Sequence, residues 1–150
     1  MSPIPGFANW LLSEPDWATL PQLRQATAAD LEMAHTRLRT LCKGDLAALP
    51  GAAAHAAMTD DDHAALHRLC SAYLLGLSPT PQGDPVARFR LDNGARLKRI
   101  NTRGNVSAKG LKQSFGMMVN YLHDLPKVEA SHAKFRQGEV AHLRAISNPL

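Results

Sequence analysis

Apolar positions along this chain recur mostly at helical spacing, and that spacing predicts most of its elements. Phe7, Trp10, Leu11 and Leu12 make a short stripe that Pro15 ends or bends. Asp16 to Leu20 reads as a short turn or the beginning of the next element. Thr27 or Asp30 is placed to cap a helix continuing through Leu31, Leu38 and Leu41. Arg37, Arg39 and Lys43 fall toward its C-terminal end, where the helix dipole favours cations, and Gly44 is its stop. Leu46 to Ala57 is alanine-rich and interrupted by Pro50-Gly51, which predicts two short helical pieces or a loop. Thr59 followed by Asp60, Asp61 and Asp62 is a strong helix start. That helix should run from about Asp60 to Gly76 with Leu66, Leu69, Cys70, Tyr73 and Leu74 inward.

The second half of the pattern is more mixed. Ser78 to Gly83 is loop by composition. Asp84-Pro85 supplies a cap with proline at the first helical position, and Asn93-Gly94 supplies a stop, so residues 84 to 93 are expected to be a short helix. A hairpin with Phe89 and Leu91 alternating against Arg88 and Arg90 is the competing arrangement. Ala95 to Asn101, with Leu97 and Ile100 set imperfectly against Arg96, Lys98 and Arg99, is the best strand candidate. Ser107 is expected to cap a long helix through His123, with Leu111, Phe115, Met118, Val119 and Leu122 inward. Gly110 and Gly116 would mark close approach within it. Pro126 ends that segment, and Ser131 to Ile146 is expected to be the last helix. At the other end, Ser2-Pro3-Ile4-Pro5-Gly6-Phe7 is expected to be a shaped loop, since its prolines remove donors and restrict their neighbours. The whole pattern predicts an α+β protein, mainly helical, with few strands.

Composition agrees with this: 45% of residues are apolar, many of them alanine, and only 5% are aromatic, which favours packed helices over a sandwich. The length of 150 residues is that of one ordinary domain or a piece of a larger one. No charged segment leads into an apolar run, and no stretch is long enough to cross a bilayer, so a soluble, cytoplasmic chain without a membrane role is expected. Cys42 and Cys70 share no metal-ligand spacing and read as reduced thiols. His63 and His67 sit one helical turn apart, a spacing able to bind a metal. With no third ligand nearby they read as surface or satisfied histidines, and no metal is expected.

Charge adds a further feature. The net charge is +4, and Arg88, Arg90, Arg96, Lys98, Arg99, Arg103, Lys109 and Lys112 fall close together. Such a cluster could meet phosphates of nucleic acid or of a phosphorylated ligand, or form a solvated face. Few aromatic residues interleave it, so single-strand stacking has little support, and nucleic acid is the weaker partner class.

The segments DPVARFRL, NGARLKRIN, the S-x-x-G-L-x-Q-S run and GMMVNY, preceded far upstream by SPIPGF, resemble the C-terminal part of the malonyl-CoA decarboxylase family in order and separation. The resemblance implies a carboxy-lyase that converts malonyl-CoA to acetyl-CoA and carbon dioxide in fatty-acid metabolism. It needs no cofactor beyond the CoA of its substrate. It also implies an acetyltransferase-like catalytic domain that follows a separate helical domain. On that pattern, residues 1 to 150 would be a truncated C-terminal catalytic segment without the helical domain or the early catalytic strands.

In the family the serine of SPIPGF and the histidine of an F-H-L segment are the functional pair. Ser2 matches the serine, whereas Arg90 stands at the histidine's place within Phe89-Arg90-Leu91. Arginine holds its proton too tightly to act as an ordinary general acid, but it binds carboxylates and enolate oxygens well. Thr102 also departs from the tryptophan that usually follows R-I-N in the family. Asn120 and Tyr121 are expected to line a substrate cleft, and Arg96 and Lys98 to meet CoA phosphates. The expected ligands are malonyl-CoA and acetyl-CoA, and the expected partner is a complementary chain or a second copy. A non-catalytic remnant or subunit is the leading alternative to an enzyme.

Overall fold

A computed structural model describes residues 1–17, 28–49 and 51–147. In chain order these form β1 (Ser2–Pro3), α1 (Phe7–Leu12), α2 (Ala28–Leu41), a 3-10 turn (Leu46–Ala48), α3 (Ala52–Ala56) and α4 (Asp60–Leu77). There follow α5 (Pro85–Asp92), β2 (Arg96–Asn101), α6 (Ala108–Ser114), β3 (Met118–Leu122), a second 3-10 turn (Leu125–Lys127), α7 (Val128–Arg136) and α8 (Arg144–Ser147). The architecture is α+β and mainly helical, as the apolar pattern predicts.

Its centre is α4. Thr59 and Asp62 close a reciprocal capping box at its start, the Asp62 carboxylate taking the Thr59 N–H at 2.9 Å. Leu66, Leu69 and Leu74 are fully buried along it, with Cys70 and Tyr73 beside them. Against this stripe pack Leu31 and Leu38 of α2, Phe7 and Leu11 of α1, and the sheet residues Leu97, Ile100 and Val119.

The sheet runs β1-β3-β2, antiparallel throughout. Ser2 pairs with Val119, Ile100 with Val119 from the other side, and Leu97 with Tyr121. Pairing alternation therefore puts Ser2, Val119, Tyr121, Leu97 and Ile100 on the face that meets the helices. A bulge between Leu97 and Arg99 inserts Lys98 as an extra residue, which is the physical reason that Leu97 and Ile100 share a face although an odd number of positions separates them. Beyond β2, Leu97 exchanges backbone hydrogen bonds with Ala141 and Leu143, and the Ser71 hydroxyl donates to the Ile146 carbonyl at 2.8 Å. Residues 141–147 thus form a strap along the outer edge of β2.

Three expectations are corrected, and one alternative is settled. The helix expected from Ser107 to His123 stops at Ser114: Phe115 and Gly116 both take left-handed backbone angles (φ 54 and 84), and the chain leaves as β3. A buried Phe115 in that conformation is costly, and it is held by a ring contact with Phe7 at 5.8 Å. The final helix expected over Ser131 to Ile146 is two pieces, broken where Gly138 takes φ 86 after Arg136. SPIPGF is not all loop, because its first two residues pair with β3 as an edge strand, where the missing proline N–H is tolerated. The hairpin alternative for residues 84 to 93 gives way to α5, capped by Asp84. The expected cap Thr27 and the turn residues Ala18 to Leu20 lie outside the described residues.

Candidate active site

The helix-facing side of the sheet gathers the chemistry. Ser2, half-buried in β1, and Tyr121, in β3, share that face as diagonal neighbours, a relation that spaces Cα atoms by about 7–8 Å. Arg90, exposed in the last turn of α5, sets its guanidinium carbon 5.8 Å from the Tyr121 ring centroid. Burial pushes the Tyr121 phenol well above the usual tyrosine range, helped by the charge of Asp84 and the thiol of Cys70 and opposed by Arg90. The phenol is thus a hydrogen-bond donor across the physiological range. With the serine hydroxyl and the guanidinium it makes a face of donors, suited to a carboxylate or an enolate oxygen.

The remaining sequence-predicted residues are placed elsewhere. Asn120 and Tyr121, adjacent in sequence, lie in β3 rather than at the end of a helix. In a strand the two alternate, so Asn120 points to the opposite face, where it accepts from the Asn101 amide. Arg96 is largely buried and pairs with Asp124 at 3.6 Å, so its charge is already engaged. Lys98 is exposed at the bulge. The basic cluster is therefore divided: Arg90 lies over the helix-facing side, Arg96 and Arg99 belong to the other side of the sheet, and Arg103 donates to His63 Nε2 at 3.1 Å.

His63 and His67 are both buried, and burial lowers the affinity of each ring for a proton. The ring of His55 meets that of His63 at 5.5 Å. Among the described residues no three histidine, cysteine or acidic side chains come together as a metal site. Two buried polar groups link the elements that carry Ser2 and Arg90. Asp84, read only as a cap, and Tyr73, read only as core, join the N-terminal loop to α5: Asp84 Oδ2 accepts from the Gly6 N–H at 2.9 Å and from the Tyr73 hydroxyl at 3.4 Å. The sequence signals the cap alone, because its other partners are remote in the chain.

A family model for the malonyl-CoA decarboxylase C-terminal domain matches residues 1–150. A rat protein named malonyl-CoA decarboxylase, mitochondrial, is 33% identical over 136 residues, which cover 83% of this chain and 27% of the relative. The crystal structure of malonyl-CoA decarboxylase from Cupriavidus metallidurans superposes with a TM-score of 0.70 at 32% identity, over 99% of this chain and 37% of that one. For the enzyme from Rhodopseudomonas palustris the TM-score is 0.66 at 36% identity, over 97% of this chain and 31% of that one. The helix-dominated α+β fold is thus one this chain shares with those solved structures. The chain belongs to the malonyl-CoA decarboxylase family. It spans about a quarter of the length of the rat relative.

Proposed function

We propose that this chain supplies the Ser2, Tyr121 and Arg90 part of a malonyl-CoA site in a carboxy-lyase of fatty-acid metabolism. The observation that carries the reading is the guanidinium of Arg90 set over Tyr121, on the same sheet face as Ser2. In the reaction the bond to the terminal carboxylate breaks, its electron pair moves into the thioester as an enolate, and carbon dioxide leaves. A proton then reaches the carbon to give acetyl-CoA. Ser2 and Tyr121 donate hydrogen bonds to the developing enolate oxygen, and Arg90 binds the terminal carboxylate. Neither Arg90 nor a phenol with its pKa pushed upward is a good proton donor to carbon near neutral pH. Turnover by this chain alone is therefore expected to be impaired, with substrate binding the better-preserved property. Lys98 remains free to meet a CoA phosphate, a role less suited to the ion-paired Arg96.

A second reading rests on extent. The chain spans 27% of the rat relative and 37% of the Cupriavidus enzyme, and β1 pairs with only Val119 and Met118 of β3. On this reading the site is completed by a complementary chain or a second copy. We place either form in the cytoplasm. Among the described residues no helix is long and apolar enough to cross a membrane.

The test is carbon dioxide release from malonyl-CoA by the purified chain, with CoA-ester binding measured by calorimetry on the same samples. Turnover abolished by Ser2→Ala supports a self-sufficient enzyme. Binding without turnover supports an incomplete site, and neither would remove malonyl-CoA as the ligand of this chain alone. Arg90→His alone is expected not to restore robust turnover. If it does, the incomplete-site reading is wrong.

A further inference from the structure

Asp84 is a buried carboxylate to which the proposed reaction gives no part. It is 1% exposed, and four donors converge on it. Oδ1 accepts from the Val86 N–H at 3.0 Å and the Ala87 N–H at 3.3 Å, which is all that a helix cap requires. Oδ2 does something else: it takes the Gly6 N–H from the loop after β1 and the Tyr73 hydroxyl from α4. All four donors are neutral, so no cation offsets the cost of burying this charge. A cap alone would be served by serine or asparagine at a helix end.

Gly6 is fitted to the same point. A Cβ on it would lie 2.3 Å from the Tyr73 hydroxyl oxygen and 3.3 Å from Asp84 Oδ2, so only glycine lets the loop backbone reach the carboxylate. Ser2 belongs to the segment that Gly6 ends, and Arg90 to the helix that Asp84 begins. One carboxylate therefore ties the serine-bearing segment to the arginine-bearing helix across a long sequence separation.

We propose that Asp84 is the positioning residue of this site, its carboxylate fixing Ser2 against Arg90 for a CoA thioester that bears a free carboxylate. This rests on the malonyl-CoA reading above, and the experiment separates the two. Asp84→Asn keeps the cap, because an amide oxygen still accepts from Val86 and Ala87, but its NH2 cannot accept from Gly6 and Tyr73. Tyr73→Phe is the milder second variant, removing one donor and leaving the carboxylate in place.

Amide exchange at Gly6, followed by NMR, is expected to quicken about tenfold in Asp84→Asn, as the loss of a hydrogen bond to a charged group implies, and less in Tyr73→Phe. The chain has only two tyrosines, so phenolate absorbance gives a second signature. In Tyr73→Phe it reports Tyr121 alone, and adding Asp84→Asn should let Tyr121 ionise at lower pH, since Asp84 is among the groups holding that phenol protonated. Malonyl-CoA affinity should fall about tenfold in Asp84→Asn.

Exchange at Gly6 and Tyr121 titration both unchanged in folded Asp84→Asn would reduce Asp84 to a helix cap and overturn the proposal. Loosened Gly6 with undiminished malonyl-CoA affinity would overturn it too, because the spacing would then not matter. If the unmodified chain binds no malonyl-CoA while both signatures move, the ligand reading fails and the positioning stands.

Discussion

Asp62 and Asp84 are both buried carboxylates at the start of a helix, yet their surroundings push them in opposite directions. At the α2–α4 corner, burial raises the Asp62 pKa, but hydrogen bonds from the Thr59 backbone, the Arg37 side chain and the Thr59 hydroxyl outweigh it and hold the carboxyl below its usual range. Arg37 Nε reaches Asp62 Oδ1 at 2.8 Å and is itself half-exposed. At the β1–α5 corner, burial wins: the Asp84 carboxyl lies above its usual range despite hydrogen bonds from Gly6, Ala87, Val86 and Tyr73. One corner uses charge to add stability, and the other holds a charge that works against it. Positions of the second kind gather at functional sites.

The contrast is broken most severely through the residues that pack the second corner. Phe7 is fully buried and meets the rings of Trp10, Tyr73 and Phe115. Phe7→Ala should cost about 3–5 kcal/mol in chemical denaturation, and a loss under about 1 kcal/mol would mean that this aromatic cluster is not the floor of the site. Gly6→Ala comes next, at about 1–3 kcal/mol, because the added methyl collides with the Tyr73 hydroxyl. Combining it with Tyr73→Phe should recover part of the loss, and strict additivity would argue against the close approach.

Thr59→Ala sharpens the first corner. It removes the acceptor for the Asp62 N–H and should lower stability by about 1 kcal/mol. The pH dependence then separates the two acids. Asp62, its pKa depressed, contributes stability present above the unfolded value of about 4 and lost as pH falls through the folded one. The deficit of Asp62→Asn relative to the parent should therefore shrink in acid. Asp84, its pKa raised, contributes in the opposite sense: its contribution is complete below about pH 4 and is lost as pH rises through the folded value. The parent should gain on Asp84→Asn as the solution is acidified across that window, and parallel pH curves for both variants would erase the distinction. The smallest effect is expected at the exposed Arg39–Glu14 pair, where Glu14→Gln should change stability by under about 1 kcal/mol.

How much of this was readable in the sequence followed the range of the interactions. Asp84-Pro85 and Asn93-Gly94 bracket α5 correctly because caps and stops are written within a few residues. Leu111, Phe115, Met118, Val119 and Leu122 fit a helical stripe as well as they fit the observed helix, elbow and strand. The ring contact with Phe7 and the pairing with β1 and β2 decide between them, and both come from remote parts of the chain. The same limit explains the site. Ser2, Arg90 and Tyr121 are singled out by the motifs of a family, but that they share one sheet face follows only from long-range pairing. The face that Asn120 takes is set by strand alternation with Tyr121, and a helical reading of the segment does not carry that alternation. Asp84 showed only its local half.

The strap at residues 141–147 has a consequence for handling the protein. It occupies the hydrogen-bonding groups of Leu97 that would otherwise lie open along β2, beside the buried Ile100. Proteolytic trimming after Gly138 would uncover that strand and release the Ser71 anchor, creating a template on which other chains can stack. Nicked material should therefore foul a preparation through precipitation before it loses its helical signal, which makes the integrity of this short tail a practical measure of sample quality.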